Sequence, residues 1–556
     1  MKQVKVDFAD GKFFVRASIM ELGRVRGFPN RRWVPRVKAW VAPAIRANVE
    51  YIKANLSGFE LTDVAMAKVR NYERPSYMRE QFPAEYEFKT EPRVIQRKAL
   101  NFLWGRDRAA LFMDMRTGKT KTVIDWVSAL SVWKGARRLL VVCPLSVRET
   151  WRSEFVVHCP VEYSVHLLDT KKVKAFEEWE KSRSPLKVLV VGVESLAAGR
   201  AIDHVQFFCL RGSETVMVVD ESSKIKNHSA QRTKRAIGLG KECKWRAILT
   251  GTPMGNSLVD LFAQYEFLDT DIIGVGDYYS FRARYCVMGG FERKQIVGYQ
   301  NTAELIELVK PYTFQARKAD VFENMPPKTY VERVVEMTPE QRRVYESVKK
   351  GTGEVLQVRT ALEKMLRLQQ IAGGFLAEQM DDGTQRVSPV GKSNSKLDEL
   401  MSVLDEVEGQ VVVWAAFRAE IDMVYHALVD RYGVDQVVKV DGSIDEQSRK
   451  WAMAAFQGGD VRFYVGTVST SGMGVSLSAA DVEIYYSNTF SYVDREQSEE
   501  RAFNEKKPLG TLIVDITMKD TVDRHVLKAL KLKKDVSEYV REHFGEVSRA
   551  VSTNSH

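Results

Sequence analysis

Two doubly wound parallel-sheet α/β lobes, with a small N-terminal α/β module and helical insertions, are what this sequence predicts. Short apolar runs alternate with helical patterns twice over, first at 109–113, 139–143, 188–193, 216–220 and 247–250, then at 411–417, 436–440, 463–467, 482–486 and 511–516. Runs that are apolar throughout fit strands buried on both faces, as in a parallel sheet clothed in helices. Between the sets, at about 270–395, the pattern turns helical and irregular, and a chain of 556 residues exceeds what one core organises.

The elements follow in order. Residues 4–8 and 12–15 are β-rich and flank Ala9-Asp10-Gly11, which predicts a hairpin. Residues 28–40 then interleave Arg and Lys with Trp33 and Trp40. Residues 1–60 hold 12 Lys/Arg and 5 Asp/Glu, so 12 − 5 = +7 of the chain's net +10 lies there. This composition suits phosphate contact and stacking on unpaired bases; Arg31, Arg32 and Lys38 are the expected DNA contacts, with the tryptophans in the module's core. The expected divisions are a module at 1–60, a linker at 61–90, lobe one at 91–325, a helical connector at 326–395, lobe two at 396–520, and a C-terminal helix and tail at 521–556.

Hydrophobic content of 44% and charged content of 28% place the chain among globular proteins and exclude a disordered one. Five cysteines with no short paired spacing argue against a disulfide framework or zinc site and for reduced core thiols. No run approaches the roughly 18 apolar residues of a membrane span, and residues 1–30 hold no signal-peptide core. A soluble cytoplasmic protein, bacterial or phage-encoded, is expected.

Chemistry enters at residues 113–121. Thr117-Gly118-Lys119-Thr120 follows an apolar run and precedes a helical pattern, the order in which proteins cradle nucleotide phosphates. Backbone N–H groups face the anion, Lys119 reaches the β/γ-phosphates, and the Thr120 hydroxyl meets Mg²⁺. About a hundred residues on, Asp220 and Glu221 end another run. Asp220 would hold Mg²⁺ and Glu221 would orient or deprotonate the attacking water, so ATP and Mg²⁺ are the expected substrate and cofactor.

The same residues carry a family resemblance. Residues 114–120 (DMRTGKT), 140–146 (LVVCPLS), 220–227 (DESSKIKN) and 249–256 (LTGTPMGN), then 440–443, Arg449, 471–480, Gln497 and Arg501, resemble the ordered motifs of Swi/Snf-type DNA translocases of helicase superfamily two. The resemblance covers about 90–520 and implies RecA-like lobes with ATP in the cleft between them. It further implies Gln96 on adenine, Gly474 and Gln497 at the nucleotide, Thr250 and Thr252 coupling hydrolysis to motion, Arg501 as an arginine finger, and Ser146 and Ser469 on the tracked strand. Residues 1–60 resemble the HARP-type substrate-recognition module of annealing helicases, which implies branched DNA as partner.

Departures from the pattern are specific. Arg116 and Thr117 replace Gly-Leu, Ser222 and Ser223 replace Ala-His, Gly255 replaces Gln, and Asn504 stands at the second arginine, with Arg495 or Lys506 as substitutes. The function expected is an ATP-dependent translocase that remodels or reanneals forked DNA. The alternatives are a motor displacing proteins from DNA and a nucleotide-gated DNA-binding module with weak or no turnover.

Overall fold

The computed structural model describes residues 4–72, 80–169, 171–197, 199, 201–212, 214–254, 257–289, 295–321, 327–350, 361–379, 385–468, 476–504, 507, 510–532 and 534. It divides into two compact units, with the break between Val321 and Phe322.

The first unit opens with a sheet of β1 (Val4–Ala9), β2 (Lys12–Arg16), β3 (Arg32–Val34), β4 (Ala39–Pro43) and β5 (Phe59–Leu61), in the order β3-β4-β2-β1-β5. The expected hairpin is β1–β2: Asp10 and Gly11 both have positive φ, +49° and +71°, which suits the twist of a two-residue turn. Helices Arg46–Ala54 and Asp63–Arg70 supply Val49, Ile52 and Val69 to a core with Val4, Val6, Phe13, Val15 and Phe28. The module therefore runs to about residue 70, past the expected boundary at 60. Its end was obscured because β5 is three residues long and the last helix only eight.

Lobe one is a sheet of β6 (Arg108–Met113), β7 (Arg138–Cys143), β8 (Tyr163–Leu167), β9 (Leu186–Gly192), β10 (Thr215–Asp220), β11 (Trp245–Thr250) and, after the hairpin β12 (Cys286–Gly289)–β13 (Gln295–Tyr299), β14 (Thr313–Ala316). The order is β14-β6-β11-β10-β7-β9-β8, and every pairing is parallel. The edge strands β8 and β14 escaped the sequence reading because they are short and polar (Tyr-Ser-Val-His-Leu and Thr-Phe-Gln-Ala). Residues 80–90 are not a linker: Phe82 packs on Trp104 and Tyr86 on Trp133, and the Tyr86 hydroxyl donates to Asp125 at 3.0 Å.

The second unit holds β15 (Lys328–Val335), the hairpin β16 (Phe375–Gln379)–β17 (Gln385–Pro389), β18 (Val411–Ala415), β19 (Val437–Val440), β20 (Phe463–Thr467), β21 (Val482–Tyr485) and β22 (Thr511–Met518). Its main sheet is parallel in the order β15-β22-β21-β18-β20-β19. Much of the expected connector and tail belongs to this lobe. β15 pairs along its whole length with β22, and Tyr345, Leu368, Ile371 and Ala372 share one core with Val522, Val526 and Leu530. β15 is mostly exposed, so its residues gave no apolar run to read.

Within the first unit the module is fastened to lobe one at residues 271–276. Asp271 accepts from the Arg46 N–H at 2.7 Å and from the Tyr72 hydroxyl, Gly274 O accepts from the Ala47 N–H at 3.0 Å, and Gly276 O accepts from Asn30 Nδ2. Gly276 has φ +92°, and a Cβ there would lie 2.7 Å from Pro29 Cβ. Asp271→Ala should remove about 1–3 kcal/mol from this contact, and Gly276→Val should force it apart. Both are expected to speed trypsin cleavage between module and lobe several-fold; unchanged cleavage would show that these contacts do not hold the module.

Candidate active site and its supporting network

Because the lobe-one strands are parallel, the loops after β6, β10 and β11 leave the sheet at one edge. The loop after β6 ends in helix Lys119–Trp133, with Gly118 before it at φ +88°. The backbone angle favours glycine, and a Cβ on Gly118, 2.0 Å from Gln96 Nε2, would have to displace that amide. Gln96 is buried; its Oε1 accepts from the Arg93 N–H at 2.7 Å and its Nε2 donates to Gly118 O at 3.2 Å. It braces the phosphate loop against the helix Val94–Trp104, a role that motif reading alone did not assign. Thr117 is buried and its hydroxyl donates to Asp114 O at 2.7 Å, while Arg116 is exposed at φ +67°. Lys119 Nζ donates to Met113 O at 2.7 Å and Asp114 O at 3.0 Å. Thr120 sits in the first turn of the helix, where backbone N–H groups are available to an anion.

Asp220 ends β10. Its Oδ2 accepts from Trp151 Nε1 at 2.9 Å and its Oδ1 from the Glu221 N–H at 2.9 Å. Burial pushes its carboxyl above the usual range, with the Glu221 charge adding to that and the Lys119 ammonium and Trp151 opposing it. Glu221 has φ +51°, an uncommon angle for a residue with a side chain. Its Oε1 accepts from Thr250 Oγ1 at 3.0 Å and Ser223 Oγ at 2.8 Å, which holds the carboxylate in one orientation. Thr250 Oγ1 in turn accepts from the Thr252 N–H at 3.0 Å. The buried Thr252 hydroxyl has no hydrogen-bond partner among the described residues. Lys119, Thr120, Asp220, Glu221, Thr250 and Thr252 thus sit at one sheet edge, as one site. The Asp220 carboxylate and the Thr120 hydroxyl are oxygen donors, a chemistry that would fit a hard cation such as Mg²⁺. The Ser222-Ser223 departure does not break the link from acidic to sensing motif; Ser223 takes up Glu221 itself.

In lobe two, helix Tyr492–Ala502 carries Gln497 and Arg501, both buried, and Arg501 O accepts from the Leu477 N–H at 3.0 Å. Arg495 is not a substitute finger. It pairs with Asp515 (2.5 Å) and Glu499 (2.7 Å), and its guanidinium lies 3.4 Å from the Tyr485 ring centroid. Burial would raise Glu499, but Lys328 and Arg495 outweigh it and hold it at about 2. Asn504, in place of the second arginine, donates to Ser478 O at 2.9 Å, and Lys507 Nζ reaches Asp481 at 2.6 Å; the segment after Arg501 is stapled to residues 478–481. Ser469, Gly474 and Lys506 lie outside the described residues.

Of the expected DNA contacts, Ser146 is exposed just beyond the end of β7. Arg32 and Lys38 are exposed on β3 and the β3–β4 turn, but Arg31 Nη1 donates to Arg26 O (2.9 Å) and Phe28 O (3.1 Å) and so partly serves to shape its own loop. Trp40 is half-buried on the module core, as expected of a core residue. Trp33, opposite it across β3–β4 with ring centroids 5.6 Å apart, is not a core residue: it is 48% exposed.

With this geometry in hand, the relatives are informative. Residues 95–380 match the SNF2-related domain and residues 393–504 the helicase conserved C-terminal domain. The first match spans more than half of the chain, which belongs to the SNF2-related family. It is 24% identical over 476 residues to Protein CHROMATIN REMODELING 4 of Arabidopsis thaliana, covering 79% of this chain and 20% of that protein. It is 23% identical over 457 residues to Chromodomain-helicase-DNA-binding protein 1-like of Danio rerio (77% and 41%). To the mouse SWI/SNF-related matrix-associated actin-dependent regulator of chromatin subfamily A member 1 it is 25% identical over 446 residues (76% and 40%). The chain therefore spans less than half the length of these relatives. The Sulfolobus solfataricus SWI2/SNF2 ATPase core in complex with dsDNA aligns at TM-score 0.38 and 19% identity, covering 85% of this chain and 98% of that one.

Gly118→Ala should weaken ATP binding by about tenfold or more, ~1.4 kcal/mol, and lower the melting temperature because alanine is strained at this positive φ; unaltered affinity would mean the loop tolerates the Cβ. In lobe two, burial pushes Glu483 from 4.5 up to about 7. Its protonated form is favoured on folding, so its effect on stability is unfavourable above pH 7 and fades as pH falls to 4.5. Glu483→Gln should therefore stabilise lobe two at pH 8 by about 1–3 kcal/mol and gain nothing below pH 4.5, as read by melting temperature against pH.

Proposed function

We propose that this chain is an ATP-driven, DNA-stimulated translocase that acts on branched DNA. The observation that carries the reading is the single site joining Lys119, Asp220, Glu221 and Thr250 in a SNF2-related chain. In this reading Lys119 and the N–H groups of helix Lys119–Trp133 hold the phosphates of ATP. Mg²⁺ is held by Thr120 and Asp220 and supplies positive charge against the phosphoryl oxygens. Glu221, with one carboxylate oxygen anchored by Thr250 and Ser223, orients the attacking water and accepts its proton. Arg501 supplies the cation that stabilises the transferred phosphoryl group. Gln497 and Gly474 keep the nucleotide-binding roles that the family resemblance implies.

DNA is gripped through its backbone, independently of sequence, with Ser146 and Ser469 among the contacts. The N-terminal module is the part that distinguishes forks. Supporting this are the exposed Arg32, Arg36 and Lys38 around an exposed Trp33, a cation-rich face with a stacking ring. Some of these relatives are named for chromatin remodelling; since this chain matches less than half of their length, only the motor is carried over.

Steady-state ATP hydrolysis with no nucleic acid, duplex, single strand and forked DNA tests the reading. DNA should stimulate the native chain, most strongly on forks. Lys119→Ala and Glu221→Gln should lose about a hundredfold or more in kcat, and Arg501→Ala about a thousandfold. Removing residues 1–72 should leave duplex-stimulated turnover and abolish the fork preference. No turnover on any DNA despite tight binding would replace this reading with a nucleotide-gated binding module.

A further inference from the structure

Two hydrogen-bonded routes join the end of β10 to the turn after β11. The first runs from Glu221 through the Thr250 hydroxyl to the Thr252 N–H. The second runs through Gln264, which lies outside every motif. The Ser222 hydroxyl donates to Gln264 Oε1 at 2.6 Å, and Gln264 Nε2 donates to Pro253 O at 2.7 Å and Asp260 O at 2.8 Å. Together they close a ring: Glu221, Thr250, Thr252, Pro253, Gln264, Ser222 and back along the chain to Glu221.

Three features make this second route more than packing. Ser222, Thr250 and Gln264 are fully buried, so water does not compete for their bonds and the polar groups are stronger together than apart. A primary amide accepts at one end and donates at the other, which neither a carboxylate nor an aliphatic side chain at 264 can do. Gln264 also projects from helix Asp260–Leu268, whose Ala263, Tyr265, Phe267 and Leu268 are core residues, so the amide is held from a rigid platform.

We propose that Gln264 is a positioning residue for ATP hydrolysis. Through Ser222 it fixes the backbone that sets the Glu221 carboxylate, and through Pro253 it fixes the turn that carries Thr252, so acidic and sensing segments move as one body. This rests on the reading of Glu221 as the residue that orients the attacking water. Gln264 itself touches no substrate; a displacement of the 250–253 turn is passed to Glu221 along both sides of the ring.

The test uses the full chain with saturating duplex DNA and measures kcat, KM for ATP and the melting transition of Gln264→Leu, Ser222→Ala, their combination and Glu221→Gln. Gln264→Leu should lower kcat about tenfold with KM within about twofold, the pattern of a lost transition-state contribution. Ser222→Ala, which removes one bond of the ring, should lower kcat about threefold, and the combined variant should be no slower than Gln264→Leu because both cut one tie. If kcat stays within about twofold in a folded Gln264→Leu chain, or falls only in step with KM, Gln264 is a packing residue and the proposal fails. Should Gln264→Leu not fold, Ser222→Ala decides on the same criterion. If Glu221→Gln hydrolyses ATP like the native chain, the reading of the site fails, and this proposal with it.

Discussion

The parallel direction of every strand in the lobe-one sheet is the constraint on which the rest of this site depends. A parallel sheet sends each strand's following loop out at the same edge, so β6, β10 and β11, neighbours in the order β6-β11-β10, deliver Thr117–Thr120, Asp220–Glu221 and Thr250–Thr252 to one place. Residues as far apart in sequence as Lys119 and Thr250 then reach one site. Pairing Asp220 with Leu249, and Thr250 with Phe112, sets how far each loop projects. The side chains need only be short and polar once the backbone has done this.

Buried polar groups do the remaining positioning, and they do it in both units. Burying a charge without partners is costly, so the buried charges that brace the two lobes arrive in pairs. Lys121, Asp125 and Tyr86 tie the phosphate-loop helix to the segment before it, with the Lys121–Asp125 pair at 2.6 Å. Arg495, Glu499, Asp515 and Lys328 do the same for the helix that carries Arg501. Such pairs are weak evidence for net stability, but they allow few alternative packings, which suits elements that must present a side chain at a fixed place. Asn504 and Lys507 extend that anchoring past the helix end, where the family pattern would have kept an arginine free for chemistry.

Much of the fold was legible because buried parallel strands are apolar end to end. All ten runs read as strands are strands, displaced by at most a few residues. What escaped were strands whose surroundings did not ask for apolarity: β8 and β14 at sheet edges, and β15, which earns its place through eight backbone pairings with β22. The site was legible in a different way. Gly118, Lys119, Asp220 and Glu221 were readable because their chemistry restricts residue type. Gln264 was not, since a glutamine within the run Leu-Phe-Ala-Gln-Tyr looks like any helical residue until its two partners are known.

The period of the apolar pattern determined by itself that this is a two-lobed α/β chain, and residues of restricted chemistry at ordered spacings carried the resemblance to the SNF2-related family. Tertiary structure alone decided that Gln96 braces the phosphate loop, that Arg495 is spent on Asp515 and Glu499, that Trp33 faces solvent while Trp40 does not, and that the module is fastened to lobe one through Asp271. The reason is that a side chain's role depends on which distant partner completes its hydrogen bonds, and linear spacing carries no record of that partner.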